Sequence, residues 1–178
     1  MTMLFSLATL AAVAAVPHAA AQRADARGAE VVRGRLEDVR GRKRVALLVS
    51  KALVLDARDP AATAFEDYRR ALAGTPPPLH VAAARRIADK LNKYIRKYRM
   101  ATAARSYEEA DLVIVFKVTG QRPSAIPTDP YVWGKMYVLA LGADRAPRLV
   151  WESKGDNDDP GDATGDFLKA LKAARGER

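Results

Sequence analysis

Ala110-Asp111-Leu112-Val113-Ile114-Val115-Phe116-Lys117-Val118 is the stretch whose reading decides the fold. Six of its nine side chains are large and apolar, and four are β-branched. β-Branched residues lose little rotamer freedom in an extended backbone and pack well on a pleated surface. A short, nearly continuous apolar run predicts a strand buried on both faces, the centre of a covered sheet.

Working outward toward the N-terminus, Ser106-Tyr107-Glu108-Glu109 has capping-box spacing and predicts a single turn before the strand. Tyr98 to Ala103 reads as a short edge strand. Upstream of it, Val81, Ala84, Ile87, Ala88, Leu91, Tyr94, Ile95 and Tyr98 recur at helical spacing, predicting a helix from His80 to about Arg96 with one apolar stripe. Thr75-Pro76-Pro77-Pro78 is a stiff spacer. Before it, Asp59 as cap and Pro60 at the first position start a shorter helix bearing Phe65, Tyr68 and Leu72 and stopping at Gly74. Val45 to Leu55 is the first strand, bent near Ser50-Lys51.

On the other side of the central strand, Gly120, Pro123, Pro127 and Pro130 predict a loop. Tyr131–Leu141 and Arg148–Ser153 follow as strands whose short link, Gly142 to Pro147, makes them an antiparallel hairpin. After the polar stretch Lys154–Asp162, Phe167, Leu168 and Leu171 mark a last amphipathic helix. The fold class is α/β or α+β: one small mixed sheet of four to five strands covered by two or three helices.

Residues Met1 to Ala21 carry no charged side chain and hold an apolar core, Leu4 to Val16, of signal-peptide length. Pro17 breaks it, and Ala19-Ala20-Ala21 supplies small residues for cleavage before Gln22. The leader lacks the usual Lys or Arg near its start, and an uncleaved anchor is the other reading of the same stretch. The expected organisation is a signal peptide over 1–21, a basic flexible segment over 22–44 and a single domain over 45–178. The expected location is periplasmic or secreted, with no transmembrane helix in the mature chain.

The 178 residues contain 30 Lys and Arg against 21 Asp and Glu, a formal charge of +9, and no cysteine. Thiol catalysis, cysteine zinc sites and a lipidated N-terminal cysteine are thereby excluded. The helix leading to Ala110–Phe116, followed by a hairpin whose second arm reads Leu149-Val150-Trp151-Glu152-Ser153, resembles uncharacterised small α/β domains of bacterial envelope proteins, many of them lipoproteins. The resemblance implies compartment and fold class. It rests on core strands, so no functional residue transfers, and the missing lipidated Cys departs from it.

No P-loop, GxGxxG, HExxH or Gly-x-Ser-x-Gly occurs. Beyond the leader His80 is the one histidine, read as a surface or capping residue, and Glu108 and Glu109 are adjacent and point apart on a turn. Asp156 and Asp158 match the first places of a calcium loop with Gly161 at the sixth. Pro160 stands at the fifth, however, and Phe167 replaces the required Glu at the twelfth. No catalytic residue, metal ligand or cofactor is assigned.

The candidate site is the basic face of the long helix, Arg86, Lys90, Lys93 and Lys97, as an anion-binding surface. The partners expected for an exported protein are an anionic lipid, a glycan or an envelope protein. The leading functional expectation is a non-enzymatic binding or accessory domain. One alternative is a metal-assisted, hydrolase-like enzyme built on the acidic loop 156–162. The other is a nucleic-acid binder, which requires that the leader is kept. Tyr131 and Trp133 beside the 120–130 loop form a second possible contact surface.

Overall fold

Leu112 to Val118 is a strand, and all seven of its side chains are buried. This computed structural model describes residues 31–51, 59–98, 102–124 and 130–176. Among them the strands are β1 (Arg44–Lys51), β2 (Thr102–Ala103), β3 (Leu112–Arg122), β4 (Tyr131–Leu141) and β5 (Pro147–Glu152). The helices are α1 (Ala62–Leu72), α2 (Val81–Tyr98) and α3 (Pro160–Arg175), with a 3-10 turn at Leu36–Val39.

The sheet order is β2-β1-β3-β4-β5. β1 runs parallel to β2 and β3, while β4 and β5 form the expected antiparallel hairpin on β3. Side-chain alternation divides the core into two layers. Leu112, Ile114, Phe116 and Val118 join Met136, Val138 and Val150 under α2 and α3. Val113 and Val115 join Leu48, Tyr137 and Leu139 under Phe65 and Tyr68 of α1. A central strand covered on both faces explains why Leu112–Val118 shows no polar alternation until Lys117.

Several boundaries differ from expectation. β1 ends at Lys51, and residues 52–55 of the expected strand lie outside the described part. α1 begins at Ala62 rather than Pro60: Asp59 accepts from the Ala61 amide (3.0 Å) through its side chain and from the Ala62 amide (3.0 Å) through its carbonyl, spending Pro60 in a turn. It stops where Gly74 takes a positive φ. α2 runs on to Tyr98 and buries Ala83, Ile87, Leu91 and Tyr94, while Val81 is exposed. The single turn expected before β3 is present at residues 107–109. β3 continues through a register shift at Val118/Gly120 to Arg122, where a loop from Gly120 was expected. The ring of Trp133 lies over Gly120, where a Cβ would come within 2.3 Å of it. α3 starts at Pro160, because Asp159 caps it by accepting from the Gly161 amide (2.7 Å), which shortens the expected acidic loop.

The boundary at residue 45 also moves. Val32 to Gly34 bond to both backbone groups of Leu149 beside β5, and Val39 is fully buried under α3. Residues 31–44 therefore belong to the domain. The leader and residues 22–30 lie outside the described part.

Candidate functional site

α2 and α3 lie side by side and point the same way. Arg86 reaches Asp159 (2.9 Å) and Lys90 faces Asp162 (3.8 Å) near the start of α3, whereas Tyr94 and Tyr98 of α2 meet Arg175 and Lys172 at its end. The sequence favours this pairing. Gly161 and Gly165 expose the α3 backbone where the Lys90 side chain crosses it, and Ile87 and Leu91 meet Phe167 and Leu168 in the shared core.

This arrangement splits the predicted basic face. Arg86, partly buried, pairs with Asp159 and also donates to the Pro130 carbonyl (3.2 Å). Lys90 is packed on glycines and neutralised by Asp162. Lys93 and Lys97, on the last turns, are exposed and carry no ion pair among the described residues. Lys172 of α3 joins Lys97. Their ammonium groups lie 4.9 Å and 5.2 Å from the centre of the Tyr98 ring. The neighbouring Lys172 ammonium, and to a lesser degree that of Lys97, lowers the Tyr98 phenol pKa against the opposing effect of burial.

Beneath Tyr98 the ring of Tyr94 packs at 4.9 Å, tilted by 35°. Arg175 donates to the Tyr94 hydroxyl (3.2 Å) and to the Arg42 carbonyl, and Arg40 donates to the Ala174 carbonyl (2.7 Å). The Arg40 guanidinium thus sits on the carbonyl end of α3, as the helix dipole favours. Lys172 and Arg40 were not in the predicted set. Helical spacing can show one face of α2, but it cannot show which second helix lies beside it.

The acidic loop does not gather its carboxylates. Asp156 binds Lys135 (2.8 Å), Asp159 caps α3 and holds Arg86, and Asp162 faces Lys90. Among the described residues no group of three or more acidic or histidine side chains is placed to hold a metal ion. His80 sits at the start of α2, where its Nδ1 accepts from the Ala83 amide (3.4 Å) and its Nε2 meets Gln121 Oε1 (2.8 Å). Tyr131 is half exposed and stacked against Arg122 (4.7 Å).

One polar cluster gave no signal beforehand. Lys117, in the middle of the sheet, binds Asp67 of α1, and Ser50 of β1 donates to the same carboxylate (2.6 Å). All three are buried, so this triad ties α1 to the sheet and offers nothing to solvent.

The fold and its charged helix seam define a small three-layer α/β domain with a cationic end. Neither a protein-family model nor any curated protein matches the chain. Among solved structures, the chain is similar to the hypothetical protein CT253 from Chlamydia trachomatis at 15% identity and a TM-score of 0.24, over 74% of this chain and 94% of that one. No helix of the described residues is long and apolar enough to cross a membrane.

Proposed function

We propose that this chain is a non-enzymatic binding or accessory domain of the cell envelope that contacts an anionic partner through the joined ends of α2 and α3. One observation carries the reading. The starts of the two helices neutralise each other's charges, Arg86 with Asp159 and Lys90 with Asp162, whereas their ends present Lys93, Lys97 and Lys172 with no ion pair among the described residues. An uncompensated cluster raises the local concentration of anions and speeds their capture, most strongly at low salt.

Retention on immobilised heparin tests the surface. Lys97→Glu/Lys172→Glu should elute at markedly lower salt than the parent. Arg70→Glu/Arg105→Glu makes the same change in net charge at exposed positions elsewhere, and it should shift elution far less. Equal shifts would mean that retention follows overall charge, and the site would be abandoned. The envelope assignment is supported by the uncharged leader. Mass spectrometry of the mature N-terminus should find Gln22 first; an intact Met1 in the cytosol would instead favour the nucleic-acid reading.

A further inference from the structure

We propose that the cavity between the 3-10 turn and the β4–β5 hairpin binds a carboxylate-bearing sugar residue, the unit of an acidic glycan. The inference goes beyond the lysine surface of the proposed function and uses none of its side chains, so either can fail without the other.

The cavity measures about 310 Å³, at the small end of the range for ligand sites, which begins at about 300 Å³. Ala140 of β4 and Gly142 just beyond it line it with little bulk. Five charged side chains complete the wall: Arg40, Arg42 and Arg148, with Glu37 and Asp38. Among the described residues no two of the five form an ion pair, and no other charged side chain neutralises any of them. Elsewhere around the sheet opposite charges are matched, Arg44 with Asp111, Arg33 with Glu152 and Lys135 with Asp156.

The arginines are held at their stems and open at their tips. Arg40 Nε donates to the Ala174 carbonyl (2.7 Å) and Arg42 Nε to the Asp38 carbonyl (3.3 Å). Gly41 between them takes a φ of 76°, a turn that suits glycine and brings both neighbours to one cavity. A bond at Nε leaves the remaining N–H donors of each guanidinium unspent. Arg148 stands on β5 opposite Ala140 and forms no hydrogen bond through its side chain among the described residues.

Guanidinium forks match the planar, two-oxygen edge of a carboxylate. Ionised Glu37 and Asp38 only accept hydrogen bonds, and they repel a bare polyanion. Asp38 spends one oxygen on the Arg35 amide (3.0 Å), and Glu37 spends neither. The two halves together select a ligand with one carboxylate and several hydroxyl donors beside it. A uronic-acid-type sugar carries that pattern on one ring, whereas inorganic phosphate has the charge without the neighbouring hydroxyls.

The test is calorimetry on the full chain at constant ionic strength, with glucuronate as the probe and glucose, acetate and inorganic phosphate as comparators. Glucuronate should saturate, and glucose and acetate, each with half of the pattern, should bind about tenfold more weakly or worse. Arg148→Lys keeps the charge but loses the fork, and should weaken glucuronate about tenfold. Glu37→Ala should weaken glucuronate and strengthen acetate, because it removes a hydroxyl acceptor and a repulsive charge together. Both side chains are exposed, so the variants should melt with the parent.

Phosphate binding as tightly as glucuronate would reduce the cavity to a general anion site and overturn the proposal. So would an absence of saturation, an Arg148→Lys variant that binds as the parent does, or a Glu37→Ala variant that binds both carboxylates more tightly. Lys97→Glu/Lys172→Glu should keep saturable glucuronate binding, which separates this cavity from the helix-end lysines. If heparin retention proves independent of those lysines while glucuronate still saturates, the proposed surface falls and the sugar site stands.

Discussion

Lys117 is the most costly single choice in the domain. A charged group inside a central strand loses its hydration and recovers it only through Asp67, which Ser50 also satisfies. Breaking such a pair from one side strands the other charge. Lys117→Met should therefore lower unfolding free energy by about 3–5 kcal/mol. The triple variant Ser50→Ala/Asp67→Val/Lys117→Met should recover most of that loss, because apolar replacements remove the desolvation cost together with the attraction. Urea titration of both variants decides it: a triple no more stable than the single would show that the triad contributes net stability.

Asp111 makes the opposite kind of contact, at the rim. Its carboxylate accepts from the Lys43 and Arg44 amides (3.1 and 2.9 Å) and pairs with the Arg44 guanidinium (2.8 Å). The Arg44 side-chain bond is the largest cause that holds its pKa well below the usual carboxylate range. A group whose pKa is lowered by folding stabilises the fold above its unfolded value of about 4, and that contribution fades as pH falls toward the folded value. Asp111→Asn should cost about 1–2 kcal/mol at pH 7, allowing for solvent screening. The gap to the parent should narrow as pH drops from about 5 to 2. Melting temperatures that differ equally at pH 2 and pH 7 would contradict this assignment.

At the scale of elements, what could be read from the chain was whatever local periodicity encodes. β3, the β4–β5 hairpin and the apolar stripe of α2 follow from alternation, helical spacing and a short link, and they stand close to where that reasoning put them. The errors cluster where a tertiary contact overrides a local signal. Gly120 reads as a breaker, yet it lies in β3 because the flat ring of Trp133 needs the space a side chain would fill. Asp59-Pro60 reads as a helix start, yet the aspartate is spent on a turn. Lys154–Asp162 reads as a polar loop that caps the last helix, and α3 starts within it at Pro160, with polar, glycine-bearing first turns. Those turns form on the Asp159 cap and on contact with Lys90. The candidate site was half legible for the same reason. Lys93 and Lys97 could be found from α2 alone, but the neutralisation of Arg86 and Lys90, and the arrival of Lys172, depend on a partner helix more than sixty residues away.

Over the whole molecule, the segment ahead of β1 joins parts that are far apart in sequence. Val32 and Gly34 extend the sheet beyond β5, exchanging backbone bonds of 2.8 Å with Leu149, and Arg33 pairs with Glu152 (3.0 Å). Val39 then fills the core under α3, and Arg40 closes on the last turn of that helix at the Ala174 carbonyl. The same few residues thus brace the outer edge of the sheet and hold the C-terminal end of α3, where Lys172 stands. A chain beginning at Val31 should keep these contacts, and one beginning at Lys43 should lose all of them. Burial of Val39 alone is worth about 1.5–3 kcal/mol, and the lost edge bonds add about 1 kcal/mol each. The shorter chain should therefore be less stable by at least about 3 kcal/mol, read as a lower urea midpoint and faster amide exchange in β5 and the last turn of α3. Exchange in β3, the doubly covered strand, should quicken only as far as global stability falls. Matching midpoints for the two chains would return residues 31–42 to the status of an appended tail, and the cationic helix end would then need another explanation for its order.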